Sequence, residues 1–370
     1  MRRNIKNLDI ETYRGINDLE IDNIGDINII VGDNNTGKTS VLEAIRLVCD
    51  PSEFNLIKTA IHRDRITYDY RNRLSMMESV LYLFNKKCKE NDIYNIMIRA
   101  DRNGSSGYFS LTGNVIKNII APLTVREDTF YYENDLIKDS SYYENKKEID
   151  CFEGIAEASF EDFYYSNEIN LQANTREFKA RKGNGVPVAN QFVGAFDHVS
   201  EDSFKTTIRT LENKNTAVAL LKYFDEGITD LRYISEEDRF IPMVEHIDKG
   251  TLPLVAYGDG MKKVLMLLNA VMAAEGGVVM VDEFETAIHT TAMIKCFKFI
   301  LAVAEKLDVQ MFMTTHSLEA VDKLLASGDE MLENIRVIRL KKRDNKTYAR
   351  VLTGKEAKQD REKYDAELRI

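Results

Sequence analysis

Cysteine is scarce in this chain and never paired in a motif. Its four cysteines, Cys49, Cys88, Cys151 and Cys296, form no C-x-x-C pair and no zinc spacing, which points to reduced thiols rather than a disulfide framework or zinc site. Long apolar runs are missing too. No window reaches the roughly 18 uninterrupted apolar residues of a membrane helix. The start, "MRRNIKNLDIETYRG", carries two arginines but no apolar core, so no signal peptide is expected. These absences lead to the expectation of a soluble, cytoplasmic protein with no membrane contact. No heptad pattern is sustained, so a long coiled coil is not expected. Positive charge is in the minority: 50 Lys and Arg stand against 60 Asp and Glu, for a net charge of −10. That argues against wholesale coating of nucleic acid while leaving local basic patches open.

What is present suffices for a sizeable core. The 370 residues are 44% hydrophobic and 30% charged, enough for two or three domains of ordinary size. "NIKNLDIETYRGINDLEID" alternates apolar and polar residues and predicts two strands joined around Arg14-Gly15. "INIIV", residues 27–31, predicts a buried strand. It runs into "GDNNTGKTS" and then "VLEAIRLVC", where Val41, Leu42, Ile45, Val48 and Cys49 fall on one helical face. From residue 51 to about 250 the pattern is less regular, with helical stretches near "SMMESVLYLF" and "ALLKYFDEG" and tyrosine-rich, strand-like segments between them. "YYEN" at 131, "YYEN" at 142 and "YYSN" at 164 read as strands or turns of a meander, with an aromatic partner surface as the alternative. After residue 250 come a helix ending at Gly276-Gly277, the strand "VVMVDE", a second helix and the strand "VQMFMTTHS". Next are a hairpin turning at Asp344-Asn345 and a charged helix. Strands alternating with helices imply a largely parallel α/β sheet.

The motifs carry phosphate chemistry. "GDNNTGKT" matches G-x-x-x-x-G-K-[ST] through Gly32, Gly37, Lys38 and Thr39. In such a loop, Asp33, Asn34, Asn35 and Thr36, with Ser40 after them, bring backbone N–H groups around phosphate oxygens. Lys38 neutralises the β and γ phosphates, and the Thr39 hydroxyl ligates Mg²⁺. The strand and helix flanking it are the context the motif requires. Asp282, at the carboxyl end of an apolar strand, is the second candidate metal residue, and Glu283 is placed to activate the attacking water. His316 ends the next strand, 34 residues beyond Asp282, within reach of a γ-phosphate or of water near Glu283. His289 is a candidate for capping the next helix or for touching a second subunit. "AYGDGMKK" sets Gly258, Asp259, Gly260 and Lys262 at a helix start, a natural anion site as well as a capping position.

The order of these motifs resembles the ABC-type ATPase heads of the SMC and RecF group. "GDNNTGKT" and "DEFETAIH" look closest to the OLD-type (overcoming-lysogenisation-defect) ATPases, many of them bacterial anti-phage components. The resemblance covers about residues 1–50 and 250–340. It implies an α/β P-loop head with a mixed or parallel sheet, built discontinuously from those two segments. An inserted α+β lobe then spans 51–249, and the hairpin end and charged helix span 341–370. It implies ATP and Mg²⁺ as ligands and a homodimer or higher oligomer closed by an ATP sandwich. In that arrangement "GDGMKK" of one subunit covers the nucleotide held by Lys38 and Thr39 of the other. The common version of this motif begins Ser-Gly-Gly. Here Gly258 replaces the serine and Asp259 a glycine, so Asp259 is expected to cap the helix while amides at Gly260 and Met261, with Lys262, face the phosphate. Arg14 and Asn34 are implied to lie near the phosphates. No Q-loop glutamine is assigned, Gln191 included.

Many OLD-type proteins carry a TOPRIM nuclease. The 54 residues after His316 contain no Asp-x-Asp pair, so a separate nuclease or toxin effector is the expected partner. Two basic stretches are candidate DNA contacts: "TREFKARKGNG", with Arg176, Lys179, Arg181 and Lys182, and "HRDRITYDYRNR", with Tyr68 and Tyr70. The leading expectation is an ATP-hydrolysing switch in anti-phage defence. The alternatives are a RecF-like repair ATPase acting on DNA itself, and a nucleotide-binding scaffold with little turnover.

Overall fold

The computed structural model describes residues 4–63, 74–85, 89–90, 92–102, 104–120, 147–160, 163–173, 188–197, 210–236, 239–328 and 331–364. The first strands are β1 (Ile5–Tyr13), β2 (Ile16–Ile21) and β3 (Ile27–Gly32), followed by α1 (Lys38–Cys49), α2 (Glu53–Ile61) and α3 (Met76–Leu81). The next strands are β4 (Ile93–Arg102), β5 (Ser105–Ile120), β6 (Lys147–Phe160), β7 (Phe163–Gln172) and β8 (Asn190–Val193). Then come α4 (Leu211–Leu221), β9 (Ile228–Glu236), β10 (Arg239–His246), β11 (Gly250–Pro253) and α5 (Asp259–Ala273). The chain closes with β12 (Val278–Val281), α6 (Thr290–Lys306), β13 (Gln310–Thr314), α7 (Leu318–Ser327), β14 (Ile335–Arg343), β15 (Lys346–Thr353) and α8 (Gly354–Tyr364).

The central sheet runs β15-β14-β3-β13-β12-β8, parallel from β14 to β8 with β15 antiparallel at the edge. Every residue of β3, β12 and β13 is buried, as their unbroken apolar runs predict for strands covered on both faces. Helices α5, α6 and α7 contribute to the core on one face. The other face packs on α1 and on a second, antiparallel sheet of order β2-β1-β4-β5-β6-β7. The mixed α/β architecture is thus the one expected. Two sheets cross the expected segment boundaries. β1 and β2 share a sheet with β4–β7, and β8 completes the central sheet beside β12.

Helix α1 shows why. Its sequence has a single apolar face, yet every residue except Thr39 is buried. The helix lies between the two six-stranded sheets and touches both, so its polar side chains need partners inside the protein. Glu43, 1% exposed, accepts from Tyr13, Arg14 and Arg63, and the Arg46 guanidinium lies 5.3 Å from the Phe192 ring centroid.

The hairpin β14–β15 turns at Asp344-Asn345, both with positive φ (48° and 64°), which the two-residue turn requires. "YYSN" lies in β7. The motifs at 131 and 142, residues 64–73 and residues 175–185 lie outside the described residues. Among the described residues no helix is long and apolar enough to cross a membrane.

Gln310, fully buried at the start of β13, stitches the two sheets together. Its amide donates to the carbonyls of Ile5 (2.8 Å) and Gly25 (2.7 Å), and its carbonyl accepts from Ile5 N–H (2.8 Å). Gln310→Leu leaves those backbone groups unpaired and is expected to cost about 2–5 kcal/mol, summed from the cost of each buried unsatisfied group. Urea denaturation measures this. A loss under about 1 kcal/mol would show that the stitch is dispensable.

Candidate functional site

The phosphate loop leaves β3 through Gly32 (φ 152°) and enters α1 through Gly37 (φ 98°). A Cβ on Gly32 would sit 2.5 Å from the Leu340 carbonyl oxygen, and one on Gly37 would sit 2.9 Å from Ile16 Cγ1. Only glycine satisfies both the torsions and the space. Asp33, Asn34 and Asn35 are exposed at the tip, while Thr36 Oγ1 donates to the Asp33 carbonyl (2.9 Å) and braces the turn. Gly37 occupies the cap position of α1 without a side-chain cap, so the first amides of the helix are not held by a capping side chain. Lys38 Nζ donates to the carbonyls of Gly32 (2.8 Å) and Asp33 (2.9 Å). Burial lowers its pKa, with Asp282, Asp33 and Glu283 acting in opposition.

Asp282 follows the last residue of β12, and its amide donates to Val193 O (2.8 Å). Its carboxylate accepts from Thr39 Oγ1 (3.0 and 3.1 Å) and from Thr314 Oγ1 (2.5 Å). The two residues expected to hold a metal therefore meet across 243 positions of sequence. One hydroxyl and one carboxylate fit Mg²⁺, which takes few protein ligands and fills the rest with phosphate and water. Glu283 has φ 48°, a conformation rare for a residue with a side chain and concentrated at functional sites. Its amide donates to Thr314 Oγ1 (2.9 Å), while buried Phe284 sends its amide to Thr314 O (3.1 Å). Thr314 thus holds both acids, one by donating and one by accepting.

His316 lies two residues past β13, not on the strand as expected, because the strand's pairing with β12 and β3 ends at Thr314. Its Nε2 is 4.0 Å from Glu283 Oε1, with both side chains about 40% exposed. Glu285 fixes this loop by accepting from Thr315 Oγ1 (2.6 Å) and from His316 N–H (3.3 Å). Burial raises the Glu285 pKa against those hydrogen bonds. His289 precedes α6, and its carbonyl accepts from Ala292 N–H (3.0 Å) at the helix entry.

The glycine motif corrects one expectation. Asp259 does not cap α5: Gly258 takes the cap position in extended backbone (φ −65°, ψ 157°), and Asp259 is the first residue of the helix. Its carboxylate pairs with Lys262 at 2.5 Å, an i,i+3 contact within the first turn. A Cβ on Gly260 would lie 2.8 Å from Ala287 O, so the helix start packs against the loop that follows the two acids. Gly258 faces open space.

Arg14 sits at the β1–β2 turn (φ 49°) with its guanidinium on Glu43, Nε to Oε2 at 2.7 Å. Arg63 takes the other side of that carboxylate (2.9 Å) and donates to Ser40 Oγ (3.0 Å). Arg14 and Ser40 are therefore joined through Glu43 and Arg63, two residues the motif reading did not single out. After β8, the Gly194–Asp197 turn lies beside the acids. Lys263, fully buried on α5, donates to Gly194 O (3.1 Å) and Ala195 O (3.2 Å), while Asp197 accepts from Gly194 N–H (2.8 Å). Gln191 sits inside β8 opposite Val279, short of the carboxyl edge.

In the sheet, the phosphate-loop strand and the acidic strand are separated by a single strand, the one leading to Thr314 and His316. With α1 enclosed between this sheet and an antiparallel one, that order makes the chain a P-loop ATPase head of the ABC type. Its family can be stated as well. Residues 27–322 match the family described as "AAA domain, putative AbiEii toxin, Type IV TA system", and the chain belongs to it. It is 23% identical over 334 residues to an ATP/GTP phosphatase of Helicobacter pylori, covering 86% of this chain and 87% of that one. It is 22% identical over 335 residues to the Septu protein PtuA of Bacillus thuringiensis, covering 88% of this chain and 76% of that one. Among solved structures, an SMC head bound to the C-winged helix domain of ScpA superposes with a TM-score of 0.50 at 12% identity. The match covers 95% of this chain and 99% of that one, and shows a shared fold.

Burial lowers the Lys263 pKa from the usual 10.5 to about 8, with Asp197 the largest opposing charge. Between those values the unfolded chain keeps a proton that the folded chain releases, so this residue's contribution to stability rises with pH from about 8 to about 10.5. Denaturation midpoints across that window should show the rise in the wild type but not in Lys263→Met. A difference between the two that stays constant with pH would contradict it.

Proposed function

We propose that this ATPase head binds ATP with Mg²⁺, closes on a second copy of itself, and by hydrolysis gates a separate effector in anti-phage defence. The observation that carries the hydrolytic part is the Thr314 arrangement. One hydroxyl fixes Asp282 beside Thr39 and holds Glu283 in a left-handed turn, its carboxylate exposed 4.0 Å from His316. In this reading Lys38 moves from the loop carbonyls to the β and γ phosphates, and the amides at the start of α1 surround them. Thr39 and Asp282 hold Mg²⁺, which would neutralise charge developing on the phosphate oxygens. Glu283 accepts a proton from water as the water attacks the γ-phosphorus and the bond to ADP breaks. His316 donates to the transferring phosphoryl group or positions that water.

Closure by a second copy rests on the glycine motif. Gly258 and Asp259 are exposed at the start of α5, whose first turn abuts the loop carrying Glu283 and Glu285. The Asp259–Lys262 pair removes the repulsion that a lone carboxylate would exert on phosphate. The separate effector and the defence role rest on the resemblance to OLD-type ATPases. The toxin–antitoxin description of the family and the Septu protein among the relatives support them.

Glu283→Gln should retain ATP affinity while turnover falls about 100-fold or more, the usual worth of a general base. Equilibrium nucleotide binding and phosphate release read this, and light scattering with ATP should show a persistent dimer. Unchanged turnover would remove Glu283 from the reaction. Gly258→Arg adds bulk where space is open in the monomer, so it should spare ATP binding yet abolish dimerisation and hydrolysis together. Hydrolysis surviving that change would refute closure by a second copy. Stimulation by DNA without any protein partner would favour the repair ATPase instead.

A further inference from the structure

The hairpin β14–β15 extends past the end of its partner β3. Pairing of β14 with β3 stops at Leu340 opposite Gly32, whereas β14 and β15 pair onward to Arg343 opposite Lys346. Directly opposed residues share a face of the sheet. On the face that begins with the pair Val337–Leu352, the next pairs are Arg339–Arg350, Lys341–Tyr348 and Arg343–Lys346. That leaves five cations and one half-exposed tyrosine in three successive pairs, with no carboxylate among them, in a chain of net charge −10. They line a shallow groove of about 590 Å³.

The arrangement works against the fold. Like charges directly opposite across two strands are destabilising, and two of the three pairs are of that kind. Among the described residues Arg339, Lys341 and Arg343 have no ion-pair partner, and Lys346 shares Asp18 at 3.6 Å. The opposite face of the same hairpin is ordinary: Ile338 and Leu340 are in the core, Thr347 is buried, and Lys342 Nζ donates to Gly15 O (2.9 Å). An external polyanion would relieve the repulsion. Alternate residues on one strand lie about 6.8 Å apart, so Arg339, Lys341 and Arg343 span about 13–14 Å. That is about four phosphates of a stacked nucleic-acid strand advancing about 3.4 Å each. Tyr348 in the middle of the cations offers a ring to an unpaired base, which a carboxylate-rich peptide would not use.

We propose that this face of the hairpin is a nucleic-acid contact surface, holding a single strand by its phosphates and one base on Tyr348. The inference is independent of the hydrolysis reading and concerns a surface made of other residues. The test uses the full chain and a fluorescent thirty-nucleotide oligothymidine, with a duplex of the same length beside it. The triple variant Lys341→Ala, Arg343→Ala, Arg350→Ala should bind the single strand about tenfold or more weakly, and its salt slope should fall by about 2, at about 0.7 per lost phosphate contact. Tyr348→Ala should weaken the single strand more than the duplex. Denaturation midpoints should be kept or raised, because opposed like charges have been removed. Arg343→Ala alone, at the exposed tip, gives a smaller change in the same direction if the triple variant folds poorly. Affinity and slope unchanged in these variants would overturn the proposal. So would equal losses for single strand and duplex in Tyr348→Ala, or competition by polyglutamate of matched charge as effective as the oligonucleotide.

Discussion

Enclosure of α1 between two six-stranded sheets is the constraint on which the rest depends. A helix covered on one side can leave its charges in water; α1 cannot. Glu43 is therefore bound by Arg14 and Arg63 and approached by Tyr13, and burial pushes the Tyr13 phenol upward, with the Glu43 charge adding to it. The same enclosure makes the phosphate loop rigid. Its helix cannot tilt without disturbing both sheets, and its first glycine is wedged against the Leu340 carbonyl. What stays open is the carboxyl edge of the central sheet, where Thr39, Asp282, Glu283 and His316 converge.

Much of this was legible from the chain alone because it is written in short-range pattern. The apolar runs of β3, β12 and β13 marked buried parallel strands, and "GDNNTGKT" marked the loop between strand and helix. Asp344-Asn345 marked a turn that only residues tolerating positive φ can make. The misplaced cap had a local cause. Capping depends on which residue adopts extended torsions before the first helical turn, and Gly258 does so one position ahead of the aspartate.

Other features depend on partners far along the chain. Nothing near Thr314 shows that its hydroxyl meets Asp282, 32 residues earlier, and nothing near Arg63 shows that it reaches Ser40 and Glu43. The second layer over α1 comes from strands at 93–172, whose alternation reveals one buried face without naming what it covers. The single apolar face of α1 therefore pointed to one neighbouring layer, where the fold supplies two.

The position of β3 has a consequence for how the protein comes into being. This early strand is flanked by β13 and β14, both made some 280 residues later, and Gly32 is braced by Leu340. During synthesis the phosphate loop is exposed long before either neighbour exists. Contacts of such long sequence separation form slowly, and unpaired strand edges are prone to aggregate while they wait. The nascent amino-terminal half therefore carries its most recognisable motif in an unfinished state. The ability to hold nucleotide arrives at the end of translation, so a chain truncated before β14 would have the motif but not the cradle.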